Sequence, residues 1–349
     1  MPDRRVTLAD VARAAGVSPS TVSVVFSGKT PAAEATRARV LDAAATLGYV
    51  GPDPRAASLR TGRSGIVGVV FGQHLRIAFS DPVNRHMMDG LAEGVAGAGL
   101  LLLHDDEPTG SGVTVTTAPM DAAVLIGFSP TLGDAVGVLR SRNVPVVVIE
   151  GDAGAGVPRI ELDNRDAQRQ AASHLRSLGH QRVATVTLPL SREQIRHQSR
   201  GPIAAEADIP VDVTRERLAG AREIFPDLSS LAAAESSIDE GMLAGRMLFA
   251  GRERPTAVIA QSDLLAAGVI RAAEELGLRV PDDVSVTGFD GIAVDGLGYR
   301  LTTMVQPATE KGLAAGRTMA ALLAGDEVAS IRFTCEFREG NTTAPAPAP

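Results

Sequence analysis

The sequence predicts an α/β protein with a small helical head: a three-helix helix-turn-helix module, a short hinge helix, and then a bilobed core of two parallel-sheet α/β subdomains. Three observations carry this expectation. Residues 7–28 read as two short helices joined by a tight turn. Within residues 49–63, Asp53 can cap a short helix with Pro54 at its first position, but Arg55 to Arg60 supply too little apolar surface to hold it alone. From Gly65 onward, short apolar runs alternate with helical ones in two successive sets, the signature of a parallel sheet.

In TLADVARAAGVSPSTVSVVFSG, Thr7 suits the N-cap of the first helix, because its hydroxyl accepts from an orphan N–H of the first turn, and Asp10 stands three residues on beside the positive helix end. Leu8, Val11 and Ala15 repeat at helical spacing, and Gly16 stops the run. Ser18 restarts it as an N-cap, Pro19 fits the first helical position, and Val22, Val25 and Phe26 form the next apolar stripe. The second helix of such a unit lies in the DNA major groove, its first exposed residues facing base edges. Pro19, Ser20, Thr21 and Val24 are therefore the candidate readers, with Thr7, Ser18 and Ser23 beside them. A third helix, from about Ala33 to Leu47, is expected to turn Val40, Leu41, Ala44 and Leu47 inward and to offer Thr36, Arg37 and Arg39 to phosphates.

The run TLADVARAAGVSPSTVS resembles the N-terminus of the lactose-repressor/galactose-repressor (LacI/GalR) family of bacterial transcription regulators. Further stretches carry the resemblance over about residues 5–340: DPVNRHMMDGLAEG, HLRSLGHQRVA, SDLLAAGVIRAAEELGLRVPDDVSVTGFD and LTTMVQ. It implies a DNA-binding domain over 1–50 and a hinge helix over 51–63 that pairs with its dimer mate in the minor groove. There Leu59 is the implied wedge between base pairs, with Arg60 next to it. Departures are visible: Ala33 replaces the usual capping Ser or Thr, Gly51 is extra, Asp53 replaces Asn, and Ala57 stands where Arg is common.

Composition agrees with a two-part molecule. The chain has 349 residues, 44% of them hydrophobic, and a net charge of −7. That charge is unevenly divided, for residues 1–63 hold nine Lys/Arg against five acids, leaving the remainder at −11. A basic head on an acidic body confines phosphate attraction to one end. Neither a span of eighteen apolar residues nor a signal-peptide pattern is present, so a cytoplasmic, membrane-free protein is expected. The single Cys335 excludes an intrachain disulfide.

The core is read as residues 64–341. Its first set comprises strands at 65–71, 100–104, 122–128 and 144–150, with helices around 83–98 and 132–142. Its second comprises the helix 165–178, the strand 182–188, a helix near 229–250, the strand 256–262, the helix 264–276 and the strand 284–289, followed by 301–306 and the helix 309–323. The resemblance implies a type I periplasmic-binding-protein-like arrangement, with the first lobe at about 64–162 and 307–325 and the second at about 163–290 and 326–341. Residues 342–349, TTAPAPAP, are expected to be a disordered tail. Between Leu188 and Arg217 stand roughly fifteen residues more than the family usually has, expected as a loop over the cleft mouth.

Catalytic signatures are absent: there is no P-loop, GxSxG elbow, complete GxGxxG after a strand, or HExxH, and the six histidines lack ligand spacing. No enzyme, metal or cofactor is implied. Instead the family motifs place Arg217, Asp290, Ser262 and Asp263 at or next to effector-contacting positions. Glu150 stands where Asp is common, and Phe79 and Phe128 are the candidate cleft aromatics. Asp263 can equally cap the helix that follows it. A carboxylate and a guanidinium together suit the paired hydroxyls of a sugar. The expectation is a homodimeric repressor that binds a palindromic DNA operator and answers to a small-molecule effector, a sugar, in the cleft. The alternative is a cytoplasmic sugar-binding or sugar-processing protein with a vestigial head.

Overall fold

The computed structural model describes residues 6–27, 32–51, 62–72, 75–95, 97–104, 112–127, 132–190, 197–199, 209–251 and 253–347. The chain forms two compact units, Met1–Gly65 and Ile66–Pro349.

The first unit contains α1 (Leu8–Ala15), α2 (Pro19–Ser27) and α3 (Glu34–Leu47). Val11, Val22 and Val40, all fully buried, pin the three helices together with Ala12, Ala15 and Ala44. Phe26 meets Tyr49 edge to face with ring centroids 5.4 Å apart. Gly16 ends α1 at φ 62°, a left-handed turn that glycine adopts without cost. Two expected core residues are not in it: Leu41 and Leu47 are exposed, because the inward face of α3 is already filled by Val40 and Ala44, four residues apart.

The second unit contains two sheets. One has the order β12-β5-β4-β3-β1-β2, with β1 at Ile66–Phe71, β2 at Gly99–His104, β3 at Ala122–Ile126, β4 at Val146–Ile149, β5 at Arg159–Leu162 and β12 at Ile331–Phe333. The other runs β13-β11-β10-β9-β6-β8-β7, with β6 at Val183–Thr187, β7 at His197–Ser199, β8 at Ser229–Ala232, β9 at Ala257–Ala260, β10 at Ser285–Asp290, β11 at Thr302–Val305 and β13 at Glu336–Arg338. Pairing is parallel except where β7 meets β8 and β13 meets β11. The helices are α4 (Leu75–Ser80), α5 (Pro82–Gly94), α6 (Leu132–Ser141), α7 (Asn164–Ser177), α8 (Asp212–Ile224), α9 (Ile238–Phe249), α10 (Asp263–Glu275) and α11 (Ala308–Ala324). Central strands such as β3 and β4 are buried along their whole length, as strands covered on both faces must be. α5 packs on α11 backbone to backbone: a Cβ at Gly90 would lie 1.9 Å from the Thr309 carbonyl oxygen, and one at Gly312 1.9 Å from that of Met87.

The chain crosses between the sheets three times, at 162–164, 305–308 and 333–336. Several expectations change here. The supposed helix near 229–250 begins as β8, a buried strand paired with β6, and the helix starts only after Ser237, whose hydroxyl accepts from the Glu240 N–H. Residues 326–341, read as wholly second-lobe, are divided, since β12 pairs with β5 in the first sheet and β13 with β11 in the second. The expected disordered tail is docked as far as it is described. Val286 donates to the Thr342 carbonyl at 2.8 Å, the buried Thr342 hydroxyl donates to Val286 O at 2.7 Å, and Ala346 N–H donates to Leu178 O at 2.8 Å. Its affinity for the sheet lies in backbone and hydroxyl groups, which satisfy the unpaired start of β10, rather than in apolar area.

Candidate DNA-binding head and interlobe cleft

In the head, the first helix is capped reciprocally. The Thr7 N–H donates to Asp10 Oδ2 at 3.0 Å, the Thr7 hydroxyl donates to the same oxygen at 2.6 Å, and the Asp10 N–H donates back to Thr7 Oγ1 at 3.4 Å. Thr7, expected at the DNA face, is exposed, yet its hydroxyl is committed to this cap. Ser18 caps α2 by accepting from the Thr21 N–H at 3.1 Å. Its hydroxyl also lies 2.7 Å from that of Ser20 and 2.8 Å from that of Thr21. Ser18, Pro19 and Ser20 are exposed, while Thr21, Ser23 and Val24 are half-buried. The first turn of α2 thus presents three clustered hydroxyls with an apolar residue, Val24, one turn further on. On α3, Arg37 is exposed and Thr36 half-buried, and Ala33 provides no side-chain cap. Leu59 and Arg60 lie outside the described residues.

In the second unit, the C-terminal ends of β4, β9 and β10 bring together polar groups distant in sequence. Arg217, on α8, is 1% exposed and stacks on the Phe289 ring with its guanidinium carbon 3.5 Å from the centroid. Its Nε donates to Asn164 Oδ1 at 2.8 Å and its Nη1 to the Gln261 carbonyl at 2.6 Å, and Nη1 lies 3.7 Å from Asp290 Oδ1. Nη2 is buried and has no partner among the described residues. Asp290 closes β10 at φ 115° and accepts from Gln306 Nε2 at 2.6 Å. Burial pushes its carboxyl well above the ordinary carboxylate range; the Arg217 guanidinium opposes the rise, and the carboxylates of Asp263 and Asp81 add to it. Glu150 accepts from Lys311 Nζ at 2.6 Å and from Asn164 Nδ2 at 2.9 Å. Burial works against its charge, but Lys311, Arg217 and Asn164 hold it below the usual value.

Ser262 and Asp263 sit beside this group with their side chains already engaged. The Ser262 hydroxyl caps α10 by accepting from Leu265 N–H at 3.2 Å and accepts from the Ser236 hydroxyl at 2.9 Å. Asp263 accepts from the Thr303 hydroxyl at 2.6 Å and the Ile292 N–H at 2.8 Å, while burial raises its carboxyl to about 7. It fastens the backbone that follows Asp290. Phe79 is 48% exposed on α4, and Phe128 lies outside the described residues. A cavity of about 370 Å³ opens beside Asp290 and Gln306, walled by Val83, Ile292 and Thr334. Among the described residues, no cluster of three metal-ligating side chains occurs and no helix is long and apolar enough to cross a membrane.

Sequence reasoning missed Asn164, Gln306, Lys311 and Asp81. Asp81 caps α5 by accepting from Val83 N–H at 2.9 Å, and burial raises its carboxyl against the pull of Arg217. One of them left a readable signal: Lys311 falls on the same helical stripe as the buried Ala315 and Met319, a cation where an apolar residue is expected.

Comparison with known proteins finds a match within each unit. Residues 7–51 match the model of bacterial regulatory proteins of the lacI family, and residues 172–342 that of a periplasmic binding protein-like domain. An HTH-type transcriptional regulator of Mycolicibacterium smegmatis is 35% identical over 336 residues, which span 91% of each chain. The structure of a lac repressor dimer bound to operator and an anti-inducer aligns with a TM-score of 0.77 at 24% identity, over 98% of this chain and 100% of that one. A complex of the transcriptional regulator CelR with cellobiose aligns with a TM-score of 0.62 at 25% identity, over 97% and 100%.

Proposed function

The chain belongs to the lacI family of bacterial regulatory proteins and is a DNA-binding transcriptional regulator; from that premise we propose that it is a homodimeric repressor of a palindromic operator, controlled by a sugar held between the lobes of its core. The carrying observation is the Arg217–Asp290 pair. The Arg217 guanidinium keeps a buried Nη2 without a partner among the described residues, while its Nη1 stands 3.7 Å from the Asp290 carboxyl at the end of β10, so a donor and an acceptor belong to one pair. Vicinal hydroxyls meet both, each accepting from one and donating to the other. The CelR complex with cellobiose supports a sugar in this fold by likeness. In the head, Ser18, Pro19, Ser20, Thr21, Ser23 and Val24 read the major groove, and Thr36 and Arg37 touch phosphates. No reaction is assigned to the protein.

The test has two arms. Selection from random palindromes followed by gel shift is expected to yield a discrete half-site, with affinity falling steeply between low and physiological salt, because each head must neutralise several phosphates. Calorimetric titration with neutral mono- and disaccharides is expected to find a ligand that changes operator affinity at least tenfold. Salt-independent binding would count against the head assignment, and saturable sugar binding that leaves operator affinity untouched would remove the regulatory one.

A further inference from the structure

Six buried side chains form a closed ring through the middle of the second unit. Lys311 donates to Glu150 Oε2 at 2.6 Å, and Asn164 Nδ2 donates to Glu150 Oε1 at 2.9 Å. Arg217 Nε donates to Asn164 Oδ1 at 2.8 Å, and Arg217 Nη1 faces Asp290 Oδ1 at 3.7 Å. Gln306 Nε2 donates to Asp290 Oδ1 at 2.6 Å, and Lys311 donates to Gln306 Oε1 to complete the circuit. None of the six is more than 9% exposed.

The placement matters as much as the bonds. Glu150 follows β4 and Lys311 is on α11, both on the side of the first sheet, whereas Arg217 on α8 and Asp290 on β10 belong to the second. Among the described residues the hydrogen bonds that link the two ion pairs run through two amides, and each amide stands on a crossover: Asn164 on the first, Gln306 on the second. Both amides turn their carbonyl to a cation and their NH2 to a carboxylate, so a single orientation satisfies each. Reversing either would set NH2 against a cation and carbonyl against a carboxylate in a buried site, where such mismatches are most costly.

We propose that Lys311 and Glu150 are positioning residues: their ion pair fixes the two crossover amides, and through them the Arg217–Asp290 pair of the opposite lobe, so that whatever engages Arg217 or Asp290 is read directly at the crossovers. The last clause rests on the reading of the cleft as a ligand site; the positioning itself does not. A ligand that draws Arg217 or Asp290 out of the ring leaves Asn164 or Gln306 with one face unmet, and the crossovers must rearrange to satisfy it. The third crossover is tied to the same point, since Asp163 N–H donates to Phe333 O at 3.1 Å and Cys335 N–H to Asp163 Oδ1 at 2.8 Å.

The test needs no ligand and is therefore independent of the proposed sugar. Amide hydrogen exchange is followed in full-length wild type, Lys311→Met and Glu150→Gln. Lys311 hydrogen-bonds to neither Asp163 nor Cys335, yet transmission through the ring predicts at least tenfold faster exchange at 162–164 and 333–336 in Lys311→Met, with the β1 and β3 amides unchanged. A purely local packing role would accelerate only α11 and Gln306, and that pattern overturns the proposal, as does faster exchange spread evenly over both sheets. Should the buried charge left by one substitution prevent folding, the double variant Lys311→Met/Glu150→Gln leaves neither charge behind and must show the same pattern at both crossovers.

Discussion

The head and the cleft hold their polar groups in opposite ways. In the head, Ser18, Ser20 and Thr21 lie within one helical turn, exposed or half-buried, on an element that carries its own cap. In the cleft, Asn164 and Arg217 are 53 residues apart and Glu150 and Lys311 are 161 apart, and every one of them is buried. The difference teaches which substitutions are separable from the fold. An exposed side chain of the head can change without disturbing a local helix, whereas a change in a buried pair reaches the folding of the core, because removing one partner strands the other away from water.

The sharpest test of that contrast is Arg217→Ala. It deletes the bonds to Asn164 and Gln261 and leaves Asp290 without its cation, so the core should lose about 3–5 kcal/mol in urea unfolding. A variant as stable as its parent would make the cleft as tolerant as the head. Next in size is Val24→Arg, on the exposed side of the comparison. It should move base preference toward guanine at one half-site position, with about 1–3 kcal/mol of discrimination in a base-substitution series, and leave core unfolding unchanged. Equal preference in the two proteins would assign Val24 to packing instead.

Thr7→Ala tests whether the head is held by its own cap. Loss of the reciprocal Thr7–Asp10 bonds should cost about 1 kcal/mol in the thermal unfolding of Met1–Gly65 and nothing in the second unit. An effect carried into the core would show the two units to be less independent than their sequences suggest. The smallest effect concerns the docked tail. His180 Nε2 lies 3.0 Å from Ala344 O and His174 Nε2 lies 2.9 Å from Thr343 Oγ1, and burial holds both rings below the ordinary histidine value of 6.5. The neutral forms belong to the folded state, so their contribution is whole above about 6.5 and is lost as pH falls through their lowered values. Exchange at Ala346, corrected for its intrinsic pH dependence, should quicken on acidification, while α5 and α11 stay protected. Unchanged protection at pH 5 would show that the tail is held by its backbone bonds alone.

Much of the molecule was legible because it is encoded over short spans. The Thr7 cap, the Gly16 stop and the Val22 stripe require only neighbours within four residues, and each appears where the spacing put it. The alternation of apolar runs after Gly65 likewise gave most strands of both sheets within two or three residues of their ends. Failures cluster where a short segment is decided by its partner. Residues 229–232 and 159–162 become strands because β6 and β4 lie open beside them, and the tail docks because β10 has unpaired groups at its start. Leu41 and Leu47 fit a helical stripe but are left outside, since spacing gives a face and not the width of the surface that covers it.

Beyond the positions of Arg217 and Asp290, which only the family resemblance implied, the sequence by itself determined the helix-turn-helix head, the basic and acidic division of charge, and the parallel α/β class of the core. Those properties follow from local periodicity, capping chemistry and composition, which do not depend on what lies across the fold. Only the tertiary structure decided that these two residues share a ring with Glu150, Lys311, Asn164 and Gln306, and that Ser262 and Asp263 spend their side chains on holding backbone. The longest hydrogen-bonded links of that ring, Asn164 to Arg217 across 53 residues and Glu150 to Lys311 across 161, are chosen by sheet order and by the three crossovers, and no spacing along the chain records that choice.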